Sequence, residues 1–140
     1  MHKLVKIALV LIGIGLIVAA LFILYVFRKP IENVANKKAD FVITSSELVN
    51  DFETNESVAN KKYVDKIIEV SGIVAEISSD TTGQTLILRD PDEVSGVSCS
   101  FALSQSTEIT SIKVGEKAKI KGKCAGHLMD VILNKCALSN

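Results

Sequence analysis

Lys117, Lys119, Lys121 and Lys123 recur at every second position of the sequence. On an extended strand a period of two projects all four ammonium groups from one face. Such a row suits phosphates, lipid headgroups or an acidic partner; its plainer use is a solvated strand face that discourages edge pairing. Just beyond it come Cys124, His127, Asp130 and Cys136. Cys124 and Cys136 are a candidate disulfide closing a short loop, which would add about 3 kcal/mol if unstrained. A tight-turn register instead sets Cys136 nearer Lys119, so buried free thiols are the alternative, with Cys99 as a further one. His127 and Asp130 join the lysines as a candidate ligand face. Zinc would need Cys124, His127 and Cys136 together, yet there is no Cys-x-x-Cys pair and the only other histidine is His2; no metal is expected. His127 is then an exposed turn residue, and Asp130 braces the turn by accepting backbone amides. Glu69 and Glu76 are expected on opposite faces of one strand, hence not a catalytic carboxylate pair. With no glycine-rich phosphate loop and no nucleophile motif, neither an enzyme nor a cofactor is expected.

Positioning those residues falls to a chain of 140 residues with 16 basic and 16 acidic side chains. Residues 31–140 keep 12 of the basic and all 16 acidic groups, so that portion is formally −4. Diffuse attraction to a phosphate backbone is therefore weak, and nucleic acid is an unfavoured partner.

Residues 7–27 carry no charge, and at about 1.5 Å per residue they make roughly 31 Å of helix, one hydrocarbon thickness. Phe22, Tyr25 and Phe27 gather at one end, where aromatic rings favour the headgroup zone. A cleavable signal peptide is the rival reading. The run exceeds a signal core, and Phe27-Arg28-Lys29-Pro30 is no small-x-small cleavage site. We expect an uncleaved single-pass anchor over residues 1–29 that contacts the lipid bilayer through residues 7–27. Basic residues flank both ends (Lys3 and Lys6; Arg28, Lys29, Lys37 and Lys38), a count that on its own points the larger domain to the cytoplasm. The expectation adopted is a cell-membrane protein with an extracytoplasmic C-terminal domain.

Pro30 ends the helix, and residues 30–43 read as a tether. Residues 44–140 then form the folded domain. A first helix starts at Thr44-Ser45-Ser46, repeats Leu48, Val49 and Phe52, and closes at Asn55; Glu56 to Tyr63 is a second helical piece. Five strands follow: Lys66 to Ile77, bent at Gly72; Gln84 to Arg89; Val94 to Leu103, alternating Val97, Cys99 and Phe101; Lys117 to Cys124; and Asp130 to Leu138. A sheet this small hides its edges by closing. The fold class expected is mainly β: a five-stranded OB-fold barrel behind a short helical segment and an N-terminal transmembrane helix.

The patterns Tyr63-x-x-Lys66-x-x-Glu69-Val70-x-Gly72-x-Val74, Val97-x-Cys99-x-Phe101 and Gly115-x-x-x-x-Ile120-x-Gly122-x-Cys124-x-Gly126-x-x-x-Asp130-Val131-x-Leu133-x-x-Cys136 resemble the tRNA-anti-like family of bacterial OB-fold proteins. The resemblance covers residues 45 to 138. It implies a five-stranded barrel in a small envelope-associated protein and favours an extracytoplasmic domain. Here a membrane helix stands where many such proteins bear a lipoprotein signal.

An oligonucleotide-binding OB face sets stacking aromatics on its second and third strands, and here only Phe101 is available, on the core side. The function expected is a membrane-anchored, non-enzymatic binding or assembly module of the envelope. It would meet a protein, glycan or small molecule near the loops Ser78 to Gly83 and Gly126 to Asp130. The alternative is a membrane-tethered single-stranded nucleic-acid-binding protein with its domain in the cytoplasm; a third reading is a redox or metal protein using Cys124, His127 and Cys136.

Overall fold

A computed structural model describes residues 1–27 and 33–140, in two units, residues 1–32 and 33–140. The expected helix stop at Pro30 and the basic pair Arg28 and Lys29 lie outside the described residues. In the first unit, α1 runs His2–Phe27 with no buried residue, and it is long and apolar enough to cross a membrane. From Ile7 to Phe27 its surface is apolar all round, as in a membrane span or a signal segment.

The second unit is a closed β barrel. Its strands are β2 (Ile67–Ser79), β3 (Gly83–Leu88), β4 (Val97–Ala102), β5 (Lys117–His127) and β6 (Val131–Leu138). Neighbours run β2-β3-β4-β6-β5, and β5 pairs back onto β2. All contacts are antiparallel except β4 on β6, where Val97 faces Val131. This is the expected five-stranded OB-fold. Alternation fills it: Ile68, Val70 and Val74, then Leu86 and Leu88, Val97, Cys99 and Phe101, Ile120 and Cys124, Val131 and Leu133 all point inward and are buried.

The helices α2 (Ser45–Thr54) and α3 (Glu56–Tyr63) close the end of the barrel that holds loops 89–96 and 128–130. Both were legible. Thr44 and Glu47 form a reciprocal capping box, and Leu48, Val49 and Phe52 repeat on one face that is buried. Asn55 caps α3 through Val58 N–H and ends α2 as well. The pair is latched by Asp51, which accepts from the Tyr63 hydroxyl at 2.6 Å and from Lys62 Nζ at 3.1 Å. That hydroxyl first, and Lys62 second, hold the Asp51 carboxyl below its ordinary value. The short helix α4 (Ser106–Ile109) buries Ile109 in the loop between β4 and β5.

Three features differ from expectation. Phe41–Thr44, within the stretch read as tether, is a strand, β1, lying parallel on β2 with Phe41 opposite Ile68 and Thr44 opposite Ser71. A 3-10 turn at Val34–Asn36 buries Val34 in the same stretch. Second, β2 accommodates an extra residue at Ala75, between the pairs Val74–Leu88 and Glu76–Ile87. The bulge reverses the alternation, so Glu76 faces outward with Glu69 instead of opposite to it, while Ile77 turns into the core. Third, Gly72 is a point of close approach: a Cβ there would collide with the Ser45 side chain at the start of α2.

Candidate functional site

On β5 the side chains of Ile120 and Cys124 point into the barrel, with Gly122 at the inward position between them, which forces Lys117, Lys119, Lys121 and Lys123 outward. The strand is hydrogen-bonded on both sides, to β2 from Lys117 to Lys123 and to β6 from Ile120 onward. From Ile120 onward it has no free edge, so Lys121 and Lys123 guard none, whereas Lys117 and Lys119 precede the β6 pairing.

Two of the four are engaged. Lys121 donates to the Lys37 carbonyl at 3.0 Å and stands opposite Glu69 on β2; Lys123 lies 3.7 Å from Asp65. Lys117 and Lys119 are exposed and border a groove of about 790 Å³. Its origin is topological. On one side of β2 the partner changes from β1, ending at Ser71, to β3, starting at Val74, and the notch between them opens under the N-terminus of α2. Thr44, Ser46, Ser71 and Asp90 line it, with Ser46 Oγ donating to Asp90 at 2.7 Å. Sequence reasoning used Thr44 to Ser46 only as a helix start. Ser46 and Asp90 stand 44 residues apart, and no local pattern joins them.

The remaining candidates are not gathered into one site. Asp130 accepts the Gly96 amide at 2.8 Å, bracing the 89–96 loop against its own turn. His127 is half-buried, stacked on Phe52 with centroids 5.6 Å apart, and its Nε2 is buried without a hydrogen-bond partner. Cys99, Cys124 and Cys136 are buried free thiols. Cys124 sits opposite Leu133; Cys136 donates to the Leu133 carbonyl at 3.3 Å and meets the Cys99 thiol. Burial pushes the Cys99 and Cys124 thiols up, away from the reactive thiolate. Among the described residues no group of three His, Cys, Asp or Glu is placed to hold a metal ion. The outer face of β3 and β4, where stacking rings would stand, presents Thr85, Ile87, Ser98 and Ser100.

The family model that matches the chain over residues 1–138 is tRNA_anti-like. This chain belongs to the tRNA_anti-like family. Among curated proteins nothing matches it. A solved structure from Klebsiella pneumoniae, described as a "putative nucleic acid-binding lipoprotein", is 18% identical, with a TM-score of 0.60 over 70% of this chain and 91% of that one. Fainter likenesses are the Schizosaccharomyces pombe Stn1–Ten1 complex (20% identity, TM-score 0.42, 49% of this chain and 53% of that one) and a "putative aspartyl-tRNA synthetase" from Leishmania major (13%, 0.48, 76% and 22%). This tRNA_anti-like chain shares its barrel with OB-fold binding proteins. The expectation that nucleic acid is an unfavoured partner is corrected by that similarity. Its physical error was to sum charge over the domain, when β5 concentrates four cations on one face of a −4 segment.

Proposed function

We propose that the protein is a membrane-tethered OB-fold module that binds single-stranded nucleic acid along the outer face of β5. The observation that supports this reading is the row of four outward lysines on one strand of the closed barrel, two of them exposed beside a groove. Ammonium groups on a rigid strand act as point charges for phosphates, and their binding free energy comes from counterion release. His2–Phe27 supplies the tether, with residues 1–29 as the anchor. The domain faces away from the cytoplasm in this proposal, and the K. pneumoniae relative, a lipoprotein, supports a membrane-associated setting.

The test is fluorescence anisotropy of a labelled single-stranded oligonucleotide with the full-length protein in detergent. Affinity is expected to fall steeply as salt rises, and to be lost when Lys119 and Lys121 are both changed to Ala. Binding that ignores both salt and these lysines would overturn the assignment. Protease added to intact cells is expected to digest the barrel unit; a protected barrel reverses the orientation, and a product found free of membranes removes the tether.

A further inference from the structure

We infer that the β5 face holds an extended single strand by its phosphates alone, without stacking on or reading its bases. This deepens the nucleic-acid reading and rests on it. Three observations carry it.

The first is where the rings went. Phe52, Tyr63 and Phe101 are buried, Phe41 packs edge-on against Tyr63 with centroids 5.0 Å apart, and the His127 ring is stacked on Phe52, so no Phe or Tyr ring of the barrel unit is left for a base on the β5 face. Stacking on an exposed aromatic is the usual base-tolerant source of affinity. The second is what borders the lysines. Glu69, Ser71 and Ile73 flank them on β2 and Ala137 on β6; the one amide is Asn134, opposite Lys123 at the far end from the groove. None of these offers the two-pronged hydrogen bonding that distinguishes bases, Asn134 excepted.

The third is spacing. Lysines two residues apart on a strand stand about 6.7 Å apart, and the four cover about 20 Å in a nearly straight line. Phosphates of an extended single strand recur at nearly this interval. In a duplex the phosphates of each strand wind round the axis and curve away from a straight row, so the ends of the row meet them less well. The hydroxyls of Thr44 and Ser46 in the groove beside Lys117 and Lys119 already donate to Glu47 and Asp90, so the lysines are left to meet the phosphates.

The experiment compares four labelled probes carrying the same number of phosphates, each titrated against the full-length protein in detergent: oligo-dT, oligo-dA, an abasic deoxyribose-phosphate oligomer and a duplex. Expected are dissociation constants within about threefold for the three single strands, since one stacked base alone would separate the abasic probe by about fivefold or more. The duplex binds more weakly. Lys117→Ala with Lys119→Ala weakens all three single strands by one common factor. An abasic probe at least about tenfold weaker than oligo-dT, or a duplex that binds tightest, overturns the backbone-only mode while nucleic-acid binding stands. If no probe binds, the proposed function itself falls.

Discussion

Gly122 sits between two of the lysines, and its missing side chain is a structural requirement with a calculable cost. A Cβ at this position would lie 2.6 Å from Cys136 Sγ and 3.0 Å from Leu133 Cβ, both fully buried. Ordinary contact is about 3.5–4.0 Å, so the added methyl intrudes by roughly 1 Å on a sulfur that cannot leave the core. Overpacking of this kind costs about 1–3 kcal/mol. Where space is open, glycine to alanine instead stabilises by about 0.4–1 kcal/mol through the unfolded chain. The sign of the change therefore decides whether the contact is real. Gly122→Ala is expected to destabilise by about 1–2 kcal/mol net. Cys136→Ala alone is expected to cost about 1 kcal/mol for lost burial. Combined, the two should fall short of additivity by at least about 1 kcal/mol, beyond the usual 0.3–0.5 kcal/mol scatter, because removing the sulfur makes room for the methyl. The assay is urea unfolding of the full chain in detergent, followed by the fluorescence of buried Tyr63 in a Tyr25→Phe background. A Gly122→Ala protein as stable as wild type, or strictly additive costs, would refute the packing argument.

Two further outcomes follow from the same coordinates. Asp51 has its folded pKa held below its ordinary value of 3.8, so its contribution to stability is present above that value and lost as pH falls through the lower folded pKa. Asp51→Asn should flatten the acid limb of a urea-midpoint-against-pH curve below about pH 4, and an unchanged acid limb would show that the Tyr63 and Lys62 contacts are absent. The buried thiols should resist a disulfide-exchange reagent at mildly alkaline pH in native protein and titrate as three per chain in unreduced denaturant; one thiol per chain would instead mean a disulfide.

Alternation made the barrel legible. Val97-Cys99-Phe101 and the Lys117-to-Cys124 run each announce a strand with one apolar face, and the capping box announces α2. What escaped is non-local. β1 is four residues long, and its parallel partner lies 27 positions away, too short for a period of two to stand out. The bulge at Ala75 has no residue signature in Val-Ala-Glu, yet it decides where Glu76 points. The groove exists because β1 stops before β3 begins, a fact of topology that brings Ser46 to Asp90. The lysine face was visible; its standing as a satisfied strand in a closed barrel was not, because that depends on the β2–β5 pairing.

That standing bears directly on why the row exists. Like charges about 6.7 Å apart repel by roughly 0.6 kcal/mol per neighbouring pair even at the dielectric of water. Asp65 relieves Lys123, and Lys121 donates to the Lys37 carbonyl. Lys117 and Lys119 are the exposed pair, with no ion pair to an acidic side chain among the described residues. On an edge strand such repulsion is recovered as protection against aggregation. From Ile120 onward both sides of β5 are bonded, so Lys121 and Lys123 gain the fold no edge protection, while Lys117 and Lys119 stand where β5 is paired with β2 alone. A ligand that carries negative charge at the same interval recovers it, and such a ligand would supply Lys117 and Lys119 with the counter-charge that Asp65 gives Lys123.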